Sequence, residues 1–136
     1  MLMDGHFAPH SNHLLVALPA AERMQLASLI ETVRLALSDV LYEPGQRIAH
    51  LHLPAGAVIF LICTMENGAT AEAGMVGCEG VAGIGALLGS ESASHRALAQ
   101  ITGQAHRIPV EQAREAFRRG GAFQRVLLLH TQALMA

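Results

Sequence analysis

The chain has 136 residues, of which 51% are hydrophobic and 15% are charged. This size and composition predict one globular domain with a buried core and exclude an intrinsically disordered chain. The formal net charge of −2 excludes the broad basic field that draws a protein to nucleic acid regardless of sequence.

The beginning of the chain predicts an arm followed by two short helices. Residues 1–12 show no hydrophobic periodicity, so we expect a flexible N-terminal arm there and a folded domain over residues 13–136. Asn12 is a suitable cap for a helix from Leu14 to Leu18. Pro19 suits the first turn of a second helix that continues to about Ile30.

Neither a signal peptide nor a membrane span is indicated. No stretch approaches the roughly 20 apolar residues that cross a bilayer. The two cysteines, Cys63 and Cys78, lack the spacing of a zinc or redox motif. We therefore expect a cytoplasmic protein with reduced thiols.

From Thr32 the pattern changes to short apolar runs separated by turn residues, which indicates strands. Asn67-Gly68 is typical of a hairpin turn. The predicted strands are Val33 to Leu37, Val40 to Tyr42, Ile48 to Leu53, Ala57 to Met65, Thr70 to Val76, Ala97 to Thr102 and Gln104 to Pro109. The sequence therefore predicts a mainly β domain with flanking helices.

After Pro109 the helical spacing returns, and the pair Gly120-Gly121 separates two closing helices. The second is predicted from Phe123 to the end of the chain. It is apolar on more than one side, so it carries more apolar surface than a helix with one buried face requires. We expect a homodimer through the helix Phe123 to Met135.

A glycine-rich segment is the strongest functional signal. It consists of Gly83-Ile84-Gly85-Ala86-Leu87-Leu88-Gly89 and is followed by Ser94-His95-Arg96-Ala97. Glycine allows backbone amides to approach an anion, and arginine can donate two hydrogen bonds to phosphate oxygens. The segment therefore resembles a phosphate-binding cassette.

Several motifs accompany this order of elements: Asp39 to Gly45, His50 to Pro54 ahead of Gly56, Gly77 to Gly89, Arg96-Ala97 and Gln132-Ala133-Leu134. Together they resemble the cyclic-nucleotide-binding (cNMP-binding) domain of Crp/Fnr transcriptional regulators. The resemblance implies an antiparallel double-stranded β-helix, a jelly-roll or cupin-like β-roll, with N-terminal helices and a C-terminal dimerisation helix. It implies an effector-sensing domain and no enzymatic activity.

Family regulators contact DNA through a helix-turn-helix that follows the closing helix. No such segment is expected before Ala136. The chain is therefore expected to be a sensor module, either a shortened piece or a natural stand-alone domain.

The cassette departs from that of family members that bind cyclic nucleotides. These have a glutamate after the cassette glycine for the ribose hydroxyl, and an arginine farther on for the cyclic phosphate. In this chain the glutamate position is occupied by Ile84 or, in a shifted alignment, by Ala86. The ligand-binding residues that the resemblance implies are Gly83, Ile84, Gly85, Ala86, Leu87, Arg96 and Ala97. Cyclic AMP is expected to bind poorly.

Two hypotheses for the cassette stay open. In the first, Arg96 and the amides of Gly83 and Gly85 bind a small anionic effector or another nucleotide. In the second, the β-roll is a ligand-free dimerisation module in which Arg96 pairs with Glu79 or Glu91. No cofactor is predicted in either.

A cupin-like metal protein or enzyme is a further alternative. His50 and His52 lie on one face of a predicted strand, and His106 on a later strand could complete a site. The residues after His52 offer no carboxylate, however. We therefore expect no metal, and expect both histidines at a solvent-facing strand edge.

Overall fold

Two antiparallel sheets form the body of the domain in a computed structural model that describes residues 12–90 and 92–135. The side chains of residues 132–135 are outside that description. Residues 1–11, most of the predicted arm, also lie outside the described residues.

The described helices precede and follow the strands. They are α1 (His13–Val16), α2 (Ala20–Ala27), α3 (Val110–Arg118) and α4 (Gly121–Met135). The described strands are β1 (Glu31–Leu35), β2 (Val40–Tyr42), β3 (His50–Ala55), β4 (Val58–Thr64), β5 (Thr70–Val76), β6 (Arg96–Ile101) and β7 (Gly103–Pro109). A 3₁₀ turn, Ile84–Leu87, lies between β5 and β6.

The sheet topology confirms the predicted β-roll. One sheet has the strand order β1-β7-β3 and the other has the order β2-β6-β4-β5, and all pairings are antiparallel. The two sheets remain open rather than closing into a barrel. β2 and β5 match the sequence prediction residue for residue, and the other strands differ by one or two residues at their ends.

The largest differences are in β1, which begins and ends two residues earlier than predicted, and in β3, which begins and ends two residues later. The predicted strand ended at Leu53, but Pro54 and Ala55 stay paired with Ala105 and Gln104 of β7. A proline is tolerated because β3 lies at the edge of its sheet, where one side of the strand lacks a ladder partner.

Side chains alternate between two buried clusters. One fills the roll between the sheets and includes Tyr42, Ile59 and Ala97. The other lies between the sheet β1-β7-β3 and the helices, and its larger members are Leu15, Leu18, Leu26, Leu51, Leu53, Ile108, Phe123 and Leu127. Because strand residues alternate between the two faces, β7 contributes Ala105 to the first cluster and Ile108 to the second.

Asn12 attaches the start of the domain to its centre. Its side chain caps α1 by accepting a hydrogen bond from the amide of Leu14 at 2.9 Å. Its Nδ2 donates to the carbonyls of Pro54 at 3.0 Å and Gly80 at 2.7 Å, and the residue is fully buried. The predicted cap is confirmed, but Asn12 is a fixed core residue rather than the last residue of an arm.

Asn12→Ala should lower the free energy of unfolding by about 2 to 3 kcal/mol, because it leaves two buried carbonyls unpaired and removes a helix cap. Urea denaturation checks this value. Asn67→Ala is the matched control, since Asn67 makes a single exposed hydrogen bond to the amide of Ala69. A loss at Asn12 no larger than at Asn67 would contradict the anchoring role.

Candidate functional site

The glycine-rich segment is attached to the edge strand β3. The amide of His52 donates to the carbonyl of Ala82 at 3.0 Å, and the amide of Ala82 donates back to the carbonyl of His52 at 2.8 Å. Gly83 follows with a φ of 98°, and a Cβ there would lie 3.0 Å from the carbonyl oxygen of His50. This position needs glycine for both its backbone angle and its close approach.

A pocket of about 210 Å³ opens between this segment and β5. One wall is the glycine-rich turn, and the opposite wall is the end of β5. Its lining residues are Tyr42, Ile48, Leu61, Ala73, Gly74, Met75, Val76, Val81, Ala82, Gly83, Ile84, Gly85, Ser90, Ser92, Ser94 and His95. We refer to it below as the glycine pocket.

Hydroxyl and imidazole groups supply the polar side of the glycine pocket. Nδ1 of His95 lies 3.1 Å from Oγ of Ser94, and Nε2 of His95 lies 3.4 Å from the hydroxyl of Tyr42. Burial raises the pKa of Tyr42 to about 12 and lowers the pKa of His95 below its usual value. Both side chains are therefore uncharged at neutral pH, and they can donate or accept hydrogen bonds without adding charge.

The structure brings together only part of the predicted ligand-binding set. Gly83, Ile84 and Gly85 line the glycine pocket. The others do not line it: Ala86 and Ala97 are buried in the cluster inside the roll, and Leu87 packs on the helical cluster.

Arg96 lies outside the glycine pocket. Its Nε donates to Oε1 of Glu43 at 2.7 Å, and both side chains are partly exposed. The expected partners were Glu79 or Glu91; the observed partner is Glu43, and Glu91 lies outside the described residues. Among the described residues, no Asp, Glu, Lys or Arg lines this pocket.

Several lining residues escaped the sequence analysis. Tyr42 is the last residue of β2, and Ala73 to Met75 belong to β5. Ser90 and Ser92 also line the pocket and were not among the predicted ligand-binding residues. For the serines, the signal in the sequence is their position between the cassette and Ser94-His95.

The structure does not bring together the three histidines of the cupin-like metal alternative. His52 lies opposite Arg107 in the β3–β7 pairing, whereas His106 lies opposite Leu53. Since paired residues share a face of the sheet, His106 faces away from His50 and His52. His106 instead contacts Oγ1 of Thr32 through its Nδ1 at 2.8 Å. In the described part of the chain, no group of three metal-ligating side chains is found.

The expectation of a solvent-facing edge was also wrong for His52. The side chain is buried, with 6% of the residue exposed, and His50 is half-buried. Desolvation by burial, reinforced by the charges of His50 and Arg107, lowers the pKa of His52 to about 4. His52 is therefore a neutral imidazole at neutral pH.

Within the described residues, no helix has the length and apolar character needed to cross a membrane.

Comparison with solved structures shows the fold. The N-terminal domain of a transcriptional regulator from Streptomyces coelicolor A3(2) superposes with a TM-score of 0.69 at 17% identity, covering 93% of this chain and 88% of that one. A cyclic nucleotide-binding domain from Methylobacillus flagellatus KT superposes with a TM-score of 0.73 at 12% identity, covering 93% and 74%. The chain thus has the fold of cyclic nucleotide-binding domains, as the sequence resemblance implied.

A third structure is the regulatory subunit of a cAMP-independent protein kinase A from Trypanosoma brucei. It superposes with a TM-score of 0.75 at 15% identity, covering 88% of this chain and 43% of that one. No family model and no curated protein matches the sequence.

Acidification should destabilise the protein through His52. Its pKa falls from an ordinary 6.5 to about 4 on folding, so the unfolded chain binds more protons as the pH drops below 6.5. This group alone should lower the free energy of unfolding by about 2 kcal/mol between pH about 7.5 and about 5. Burial lowers the pKa of His50, His95, His106 and His130 in the same direction.

Urea denaturation at the two pH values measures this loss. In His52→Gln the loss should be smaller by about 2 kcal/mol, whereas His13→Gln, at an exposed position, should behave like the parent. Equal losses in the parent and in His52→Gln would contradict the assignment.

Proposed function

We propose that this chain is the effector-sensing domain of a Crp/Fnr-type transcriptional regulator, with the glycine pocket as its sensing site. The fold supports a regulatory binding domain, and the pocket lies against the cassette that the sequence singled out. The role is binding rather than catalysis.

The effector is a small polar molecule, and cyclic AMP is a poor ligand. The observation that carries this is the lining of the glycine pocket: hydroxyl, imidazole and apolar groups, with no acidic or basic side chain among the residues described. Arg96 is held by Glu43, and Ile84 presents hydrocarbon where a ribose would need an acceptor. This lining favours an uncharged effector over the anion or nucleotide that the resemblance suggested.

A route for the signal leads from the pocket to the closing helices. Nε of Arg114 in α3 donates to the carbonyl of Ala86 in the 3₁₀ turn at 3.0 Å, and its Nη1 bonds Glu111. A ligand that favours one position of the turn would thus favour one position of α3 and its neighbour α4. The ligand can shift the populations of the two arrangements only by as much as its affinities for them differ.

Ile84→Glu should improve the binding of cyclic AMP at least about tenfold, which corresponds to about 1.4 kcal/mol. The new carboxylate supplies an acceptor for the ribose hydroxyl that the parent lacks. Calorimetric titration of the parent and the variant with cyclic AMP and cyclic GMP measures this gain. Ile84→Gln, which has a similar shape without the charge, is the control and should gain less.

Micromolar or tighter binding of either nucleotide by the parent would contradict the proposal that the altered cassette binds cyclic nucleotides poorly. An Ile84→Glu variant that stays folded and gains nothing would show that the cassette is misaligned. If the parent binds no small molecule at all, the ligand-free dimerisation module becomes the better description.

We further propose that the chain forms a homodimer through α4. Two of its leucines, Leu128 and Leu129, are 43% and 64% exposed although the helix is largely apolar. A second copy of the helix would bury both, as the resemblance implies for the closing helix.

Leu129→Glu should convert the dimer to a monomer, because it places a charge at the centre of the buried contact. Sedimentation equilibrium of the parent and the variant measures the change in mass. Leu37→Glu is the matched control: Leu37 is 60% exposed and lies in the connection between β1 and β2, so its substitution should leave the dimer intact. A monomeric parent, or dissociation by both variants, would contradict the assignment to α4.

A further inference from the structure

A second cavity, of about 420 Å³, lies at a different place in the roll. It opens between β1, the start of β2, and the facing strands β3 and β7. Its lining residues are Val33, Arg34, Leu35, Asp39, Val40, Leu41, His50, His52 and Arg107. None of these lines the glycine pocket. We refer to it as the histidine cavity.

A buried polar atom in the wall of this cavity lacks a partner. Nδ1 of His52 is inaccessible to solvent and has no hydrogen-bond partner within the part of the chain that the structure describes. Buried polar atoms are rarely left unpaired, because the loss of water is then uncompensated. Such an atom, on a residue only 6% exposed, points to a bound molecule that supplies the missing hydrogen bond.

A positive charge lies directly beside this imidazole. Arg107 is the cross-strand neighbour of His52 in β7 and of Glu31 in β1. Its Nε and Nη2 donate to Oε1 of Glu31 at 2.8 and 2.6 Å, which fixes the orientation of a guanidinium that lines the cavity. The side chain of Glu31 is 63% exposed and that of Arg107 32%, so the cation is the more enclosed partner.

Two further charged groups line the cavity and offset each other. Asp39 carries a carboxylate, whose Oδ2 accepts a hydrogen bond from the amide of Ala36 at 2.8 Å within the connecting turn. Arg34 carries a second guanidinium, so the lining holds two cations and one anion. The imidazoles of His50 and His52 add hydrogen-bonding nitrogens without a negative charge.

Apolar side chains form the remaining wall. Val33 and Leu41 pack against the cluster inside the roll, and Leu35 belongs to it. A ligand here meets hydrocarbon on one side and a guanidinium with imidazole groups on the other. That combination fits an amphiphilic molecule with a single negative charge.

We propose that the histidine cavity binds a small organic monocarboxylate. The carboxylate accepts hydrogen bonds from Arg107 and from the imidazoles of His50 and His52, and the hydrocarbon portion contacts Val33, Leu35 and Leu41. Guanidinium and carboxylate are matched in geometry. A phosphate dianion fits less well, because Glu31 already neutralises part of the available charge. The site is separate from the glycine pocket and does not depend on the function proposed for it.

Titration with sodium hexanoate at neutral pH and constant ionic strength tests the site. The imidazole C–H signals of His50 and His52 are followed by NMR. We expect saturable shifts of these two signals with a dissociation constant below about 1 mM, which corresponds to about −4 kcal/mol. 1-Hexanol, the uncharged analogue, should bind at least about tenfold more weakly. Shifts that stay linear in hexanoate, or equal binding of hexanol, would overturn the proposal.

Two variants locate the carboxylate. Arg107→Lys keeps the charge but removes the guanidinium N–H groups that Glu31 does not occupy, and should weaken hexanoate binding about fivefold to tenfold. His52→Gln removes the imidazole and should weaken it as well, as measured by the remaining His50 signal. Ser94→Ala, in the wall of the glycine pocket, is the control and should bind hexanoate like the parent. If Ser94→Ala abolishes binding while Arg107→Lys does not, hexanoate occupies the glycine pocket and the proposal is wrong.

Discussion

The reciprocal backbone hydrogen bonds between His52 and Ala82 are the constraint on which the rest of this domain depends. They give the edge strand β3 a partner on its free side and hold the glycine-rich segment against it. Gly83 then lies so close to the carbonyl of His50 that a side chain would be strained there. The main chain of His52 thus fixes one wall of the glycine pocket, while its side chain lines the histidine cavity.

The distribution of charge around the glycine pocket underlies the proposal that cyclic AMP is a poor ligand of this fold. Arg96 pairs with Glu43, and Arg107 pairs with Glu31 through two of its nitrogens, both at partly exposed positions where water lowers the cost of the charges. Moving a guanidinium into a small pocket is costly unless an anion compensates it. Arg96 accordingly stays at the surface beside Glu43, and neutral hydroxyl and imidazole groups line the glycine pocket.

The comparison with solved structures shows that very different sequences adopt this fold. Identities of 12 to 17% accompany TM-scores of 0.69 to 0.75, because alternating buried positions and total core volume are enough to specify the roll. Specificity depends instead on a few side chains around the turn. Replacing these leaves the sheets intact, and Arg114 can still couple the turn to α3 through the carbonyl of Ala86.

The sequence by itself determined the local features: the class of the fold, the limits of β2 and β5, the cap at Asn12 and the place of the cassette. These depend on periodicity and on the preferences of neighbouring residues. Only the tertiary structure decided which residues meet. It paired Arg96 with Glu43, 53 positions away, buried His52, and turned His106 to the opposite face of the sheet. Register and long-range packing set these contacts, and no local pattern in the chain encodes them.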